Sequence, residues 1–365
     1  MVRCHPKPTV NEGMTMNNLP RSITGGVDTH LDVHVAAALD DRGTLLGVES
    51  FATTANGYKK LLAWLEEFGP VELVGVEGTG SYGAGLTRHL QAEKVKVVEV
   101  DRPNRQRRRR KGKSDPEDAI AAAHAAQSGD ASGEAKTRDG NVESMRVLRV
   151  ARASARKGRT QALNQMRSLI STAPDPIRAE LRGLNVFRLL ERTSVYRPGN
   201  KRDIVTLTKL TLRMLAKRAI ALEEEITEID AILKPLVKET APELVATLGI
   251  GTDAASALLV AAGDNPERLR NEAAFAHLCG VSPLEASSGK QERHRLNRSG
   301  DRQANSALWH IVITRMVYDP RTTEYIERRT NEGKTKKEAV RCLKRYVARE
   351  VYGLLPREQF ALDSP

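Results

Sequence analysis

Between Val27 and Val100 the apolar pattern changes period again and again, and this alternation restricts the fold more than any other feature. Val27–Ala38 is rich in Val and Ala, Asp40-Asp41-Arg42-Gly43 supplies turn chemistry, and Thr44–Phe51 returns as a second strand. Asn56–Phe68 then sets Tyr58, Leu61, Leu62 and Leu65 at helical spacing. Val71–Val76 reads as a buried strand, Ala84–Ala92 as a helix and Val95–Val100 as another strand. A strand hairpin followed by alternating helices and strands is the grammar of an α/β layer fold with a mixed sheet. A further helix is expected over Asp115–Gln127, ended by Ser128-Gly129.

The rest of the chain reads differently. Residues 1–20 are polar and aperiodic and are expected to form a disordered tail, as are 356–365; the Gly- and Asp-containing stretch 130–140 is expected to be a linker, placed at 131–141. Residues 142–239 are mostly helical. Leu212, Leu215, Ala219, Leu222, Ile226, Ile229, Leu233 and Leu236 alternate spacings of three and four, a heptad seam of about three and a half heptads. Pro235 is expected to bend or end this helix. The seam suits either an intramolecular hairpin, with the helix of Arg146, Arg149, Arg152 and Arg156 as partner, or a dimerisation arm. A third region, 240–355, opens with the turn Leu248-Gly249-Ile250-Gly251-Thr252 and contains the loop Gly280–Gly300 between helices.

Charge narrows the partners. The 365 residues carry 58 Lys and Arg against 46 Asp and Glu, a net charge of +12, which favours a polyanion. Eight of the twelve residues from Arg102 to Lys113 are basic: Arg102, Arg105, Arg107, Arg108, Arg109, Arg110, Lys111 and Lys113. Such a run is usually a solvated face. Its place directly before the Asp115 helix favours contact with a nucleic-acid backbone, which positions without reading sequence. Aromatics are only 4%, too few for a base-stacking or sugar-binding surface to be the main business. Cys4, Cys279 and Cys342 form no C-x-x-C pair, so a disulfide scaffold and a zinc knuckle are both excluded. With no apolar run of the roughly 18 residues a membrane helix needs, the expected setting is the cytoplasm, in association with the nucleoid.

Four carboxylates stand out by position. Asp28 lies on the first strand and Glu77 closes the strand Val71–Val76 before the sharp turn Gly78-Thr79-Gly80. Asp115 and Asp118, three apart, share one face at the start of a helix. A carboxylate at the inner end of a buried strand is costly unless something positive compensates it. Two Mg²⁺ ions, or Mn²⁺ in their place, would do so and could clamp both oxygens of an in-line phosphoryl displacement. Taken singly, each acid has a structural reading; Asp115, for example, suits a helix N-terminus. Together, beside a basic flank, they favour a metal site. The eight histidines offer no pair with metal-ligand spacing; His30 and His34, on a shared strand face, could approach the site but are expected rather to pack or face solvent.

Three segments carry a family resemblance: Gly26-Val27-Asp28-Thr29-His30, Val76-Glu77-Gly78-Thr79-Gly80-Ser81-Tyr82, and Lys113-Ser114-Asp115-Pro116-Glu117-Asp118-Ala119. They resemble the motifs of the DEDD insertion-sequence transposases, the family of the Piv-type invertases and bridge-RNA-guided recombinases. The C-terminal region, with Gly280-Val281-Ser282-Pro283, Ser287-Ser288-Gly289 and Ser299-Gly300-Asp301, is similar to that family's transposase domain. The resemblance implies a ribonuclease-H-like (RuvC-like) α/β domain over 21–130, a coiled-coil helical middle over 142–239, and a small helical C-terminal domain over 240–355. It implies that Asp28, Glu77, Asp115 and Asp118 bind the metals, that Ser288 is a nucleophile forming a phosphoserine link to DNA, and that Ser287 is its neighbour. Donor and target DNA, a guide RNA encoded by the element, and a homo-oligomer, dimer or tetramer, are the implied partners. Gly25 stands where the family usually has an apolar residue and is expected to loosen the first strand. The alternatives are a junction-resolvase-like Mg²⁺ nuclease, which needs no serine, a nucleotide-binding actin-like fold, which leaves Asp115-x-x-Asp118 unexplained, and a non-catalytic nucleic-acid-binding protein.

Overall fold

The computed structural model describes residues 22–100, 114–131, 133–285, 294–295 and 297–356. The basic run at 102–113, the serines at 287 and 288, and the terminal tails 1–20 and 357–365 lie outside the described residues. The chain divides into two compact units. One runs to Arg138 and includes Glu267–Leu269; the other comprises Asp139–Pro266 and the chain from Arg270 onward.

In the first unit, β1 (Ile23–Thr29), β2 (Val33–Leu39) and β3 (Leu45–Ala52) form an antiparallel meander. β4 (Val71–Glu77) and β5 (Lys96–Val100) extend it in parallel from β1, and β6 (Gly133–Glu134), within the linker stretch, pairs antiparallel with β5. The order β3-β2-β1-β4-β5-β6 is that of a mixed ribonuclease-H-like sheet. One expectation needs correction: the Val27–Ala38 run is not one strand but two. The chain turns over at His30-Leu31-Asp32, so His30 and His34 do not share a strand face.

Helices cover both faces. α1 (Ala55–Glu66) and α2 (Ala84–Ala92) bury Leu61, Leu62, Leu65, Leu86 and Leu90 against Ile23, Val27, Val74 and Val76. α3 (Asp115–Gln127) lies on the opposite face and has only Ala119, Ala122, Ala123 and Ala126 as its apolar buried residues. So small a helix surface seats well because β1 and β4 present glycine to it. A Cβ at Gly26 would stand 2.1 Å from the Ala123 nitrogen, and one at Gly75 2.7 Å from the Ala122 carbonyl. Gly25, on the other face, does not loosen β1: Leu65 Cδ1 and Val74 Cγ2 fill its place, and the strand pairs on both sides.

The second unit is helical. α4 (Asn141–Thr172), α5 (Asp175–Leu181), α6 (Val186–Ser194) and α7 (Ile204–Thr240) come first. The seam of α7 is occupied by α4 in an antiparallel hairpin within the chain. Arg152 bonds Asp230 at 2.7 Å near one end, and Arg159 pairs with Glu223 further along. Pro235 does not end α7, which continues to Thr240 with Val237 rather than Leu236 fully buried. α8 (Pro242–Ala246), α9 (Thr252–Ala262) and α10 (Glu272–Leu278) follow, then the short hairpin β7 (Leu284–Glu285) and β8 (His294–Arg295). α11 (Arg302–Tyr318), α12 (Pro320–Asn331) and α13 (Lys336–Gly353) complete the unit. Among the described residues no helix is long and apolar enough to cross a membrane.

Candidate active site

Strand alternation decides which face the acids occupy. In β1 positions 25 and 27 face α1 and α2, so positions 26 and 28 face α3; in β4 Val74 and Val76 face one way, positions 75 and 77 the other. Val27 pairs with Val76 in register, so Asp28 and Glu77 leave the ends of adjacent parallel strands on the same side. The glycine one pleat earlier in each strand lets α3 lie against the backbone. Its N-terminus, carrying Asp115 and Asp118, thereby comes to the strand ends.

The described residues include one cluster with metal-ligand spacing. A carboxylate oxygen from Asp28, another from Asp115 and a ring nitrogen of His30 all lie within 4.8 Å of one another. His30 Nε2 is 3.1 Å from Asp28 Oδ2 and 3.3 Å from Asp115 Oδ1. Of the readings open to it, His30 takes the approach to the site rather than packing in the core or merely facing solvent, because the β1–β2 turn swings it back over Asp28. Glu77 and Asp118 stand outside that triad of atoms. Asp118 is buried one helical turn beyond Asp115, and Glu77 ends its strand with its carbonyl accepting a 2.8 Å bond from Thr29 Oγ1.

The electrostatics are those of a place that concentrates negative charge. Burial pushes the Asp28 carboxyl above its ordinary range; His30 opposes this, while the charges of Asp118 and Asp115 reinforce it. Carboxylates packed so that one raises the pKa of another suit a cation, and oxygen donors with one imidazole fit Mg²⁺ or Mn²⁺. His34, by contrast, is wholly buried and stacked on Tyr58 at 5.7 Å, with its pKa lowered by that burial to about 4. Arg138 also reaches this end of the sheet, with no motif around it to mark it. Its backbone has φ +57°, and its guanidinium lies over Gly80, on the turn that follows Glu77.

In the second unit, Ser287 and Ser288 fall in sequence between β7 and β8, outside the described residues, and the described residues that flank this hairpin are tied together. Gly280 (φ +64°) and Gly300 (φ +87°) interlock so closely that a Cβ on Gly300 would meet the Gly280 nitrogen at 2.5 Å. Asp301 N donates to Leu278 O at 2.7 Å, and the Asn305 amide donates to Cys279 O and Gly280 O at 2.8 and 3.0 Å. Lys344, almost fully buried, donates to Asn305 Oδ1.

Comparison with known proteins agrees with these features. A transposase model of the DEDD IS110 type matches residues 25–173, and the model of the transposase IS116/IS110/IS902 family matches residues 242–327. A relative from Streptomyces coelicolor, the insertion element IS110 uncharacterized 43.6 kDa protein, is 27% identical over 175 residues. That stretch is 47% of this chain and 42% of the relative, so the match spans less than half of either protein. Two models of one kind, matched in order along the chain and covering both the carboxylate-bearing sheet and the interlocked C-terminal loop, place this protein in the IS110-type transposase family.

Proposed function

We propose that this protein cuts and rejoins DNA strands as the transposase of an insertion sequence, using a divalent-metal carboxylate site and a serine nucleophile. The observation that carries this reading is the convergence of Asp28, Asp115 and His30 at the strand ends of a ribonuclease-H-like sheet, inside the segment matched by the DEDD model. Asp28, Glu77, Asp115 and Asp118 would hold two Mg²⁺ ions, or Mn²⁺, with His30 as an added donor. When bound, the ions supply charge stabilisation to the attacking and leaving oxygens of an in-line displacement.

The protein's residues then have distinct tasks. α3 and the ends of β1 and β4 fix where the scissile phosphate can sit. The Ser288 oxygen bonds to phosphorus as the bond to the departing DNA oxygen breaks; the serine proton is lost to solvent and the departing strand leaves as a hydroxyl. The resulting serine–DNA ester keeps the phosphoester bond, so a later DNA hydroxyl can reverse the step with no external energy source. The basic run, Arg105, Arg107, Arg108, Arg109, Arg110, Lys111 and Lys113, would bind backbone phosphates. In this reading the partners are donor and target DNA and an element-encoded guide RNA, the active form is a homo-oligomer, and the work is done in the cytoplasm at the nucleoid.

The test is a recombination assay with donor and target DNA, with and without co-purified RNA, followed on a denaturing gel. Ser288→Ala should retain nucleic-acid binding but lose both the protein–DNA adduct and recombination, while Ser287→Ala keeps both. Asp118→Ala, or chelation of the metal, should abolish cleavage. Cleavage that persists in chelator would refute the metal site, and an adduct that persists in Ser288→Ala would refute the nucleophile.

A further inference from the structure

The α4–α7 hairpin ends in a feature that the strand chemistry does not use. A cavity of about 460 Å³ opens where the C-terminal part of α4, the short α5 and the start of α6 meet. Its floor is apolar, made by Ile170, Leu181, Val186 and Leu189, and it grades into the hydrophobic core of the hairpin. Its rim carries three guanidinium groups, Arg167, Arg178 and Arg182. Arg178 pairs with Asp175, but among the described residues no carboxylate lies within ion-pair distance of Arg167 or Arg182. Gly183, with φ +79° and open space where a Cβ would stand, turns the chain between Arg182 and Leu184.

Two arginines without a carboxylate partner beside an apolar lining fit a ligand that is anionic at one end and largely apolar at the other. Guanidinium groups hold phosphate through paired N–H donors and need no sequence information to do so. A cavity of this size lies within the range that takes a small organic ligand. Carboxylates are present nearby, yet they pair with Arg178 and, through Glu180, with Arg192, which leaves the excess positive charge at Arg167 and Arg182.

We infer that this cavity binds one unpaired nucleotide of a nucleic-acid strand, its phosphate held by Arg167 and Arg182 and its base seated on Ile170, Leu181, Val186 and Leu189. A base inside a duplex cannot enter, because its faces are already stacked, so the site selects single strands, loops or bulges. It would give the hairpin a grip on nucleic acid separate from the carboxylate site. The inference does not need strand cleavage: a chain disabled at Asp28 and Asp118 should bind the same strand at the same place.

The experiment uses the full chain and fluorescein-labelled single-stranded RNA and DNA of one mixed sequence, about 20 nucleotides long, with the matching blunt duplex as a third probe. Arg167→Gln/Arg182→Gln, checked for native melting behaviour, should weaken single-strand binding about tenfold and lower the salt slope by about one to two, with a much smaller effect on the duplex. Leu184→Glu, at an exposed position on the rim, should weaken single strands in the same way without touching the core. Photocrosslinking with 5-iodouridine or 5-iododeoxyuridine should map to residues 167–189 and fail in the double variant. Whichever of RNA or DNA binds more tightly in the wild type, and loses more in the variant, is the natural source. Equal losses on duplex and single strand would reduce the rim to a plain backbone contact and overturn the nucleotide pocket. Unchanged affinity, or crosslinks that avoid 167–189, would overturn it as well. Failure of recombination alone would leave it standing.

Discussion

Gly26→Ala should disable the carboxylate site while adding only one methyl group. The added Cβ would stand 2.1 Å from the Ala123 nitrogen and 2.3 Å from the Ala119 carbonyl, both of them backbone atoms of α3. Ordinary contact begins at 3.4 Å, so α3 must retreat from the sheet by about 1.3 Å or β1 must buckle. No rotamer change can relieve this, because the obstructing atoms belong to a regular helix. Overpacking of this kind costs about 1–3 kcal/mol, and the melting temperature should fall by several degrees. The effect on function should be larger than the effect on folding. Asp115 and Asp118 ride on α3 whereas Asp28 rides on β1, and a misplacement of about 1 Å can cost on the order of a hundredfold in rate. Mn²⁺ binding by isothermal titration should weaken in parallel, which separates loss of the site from loss of the fold. Gly25→Ala is the matched control. Its Cβ meets only side-chain methyls, Leu65 Cδ1 at 3.0 Å and Val74 Cγ2 at 3.2 Å, and these can give way. Gly26→Ala with wild-type melting and wild-type Mn²⁺ affinity would refute the close-approach argument outright.

Three further outcomes follow from buried or paired polar groups. His34 titrates near 6.5 when unfolded but only near 4 when folded, so acid favours the unfolded chain. Stability should fall as pH drops from 6.5 toward 4, by up to about 3 kcal/mol, and His34→Phe should flatten that slope in urea titrations. Asn305→Leu strips the partner from Lys344 and from the Cys279 and Gly280 carbonyls and should cost about 3 kcal/mol or more, measured by denaturant unfolding. Lys344→Met should recover part of that loss in the double variant, and strictly additive losses would show that the two residues do not act together. Glu272 has its pKa lowered to about 2, first by hydrogen bonds from Arg345. Its contribution is therefore complete above about 4.5 and lost as pH falls toward 2, and Glu272→Gln should remove that part of the acid transition in a circular-dichroism titration.

The reach of the sequence differs between the two kinds of feature found here. Strand and helix periods located α1, α2, α3, β4 and β5 to within about two residues because apolar spacing reports burial directly. The same periodicity failed at Thr29–Asp32. A run of Val, Ala and His looks continuous whether or not the chain reverses, and no Gly or Pro marks the turn. The approach of His30 to Asp28 depends on a reversal that composition does not signal. Pro235 does not end α7 as its lost hydrogen bond allows, and Leu233 and Val237 on either side of it are buried. One signal was present and went unread. Gly26-Val27-Asp28 and Gly75-Val76-Glu77 share a Gly-x-acid pattern, and α3 supplies the alanine face that such glycines admit. The arginine-rimmed cavity had no linear signature, because its lining comes from three helices and a turn.

The interlock of Gly280 with Gly300 bears on how such chains can diversify. Gly280 and Gly300 are held against each other by backbone contact, and Asn305 holds the Gly280 side, so α10 and the start of α11 are joined directly there. Lengthening a closed loop is cheap, about 0.6 kcal/mol for each doubling. Changes of length or sequence between 286 and 293 are therefore expected to leave the junction of α10 and α11 intact, which thermal unfolding of such variants would check. In the hands of selection, or of an engineer, this unit is a socket: reach and surface chemistry of the inserted stretch can be changed by grafting, and the body that holds it need not be redesigned.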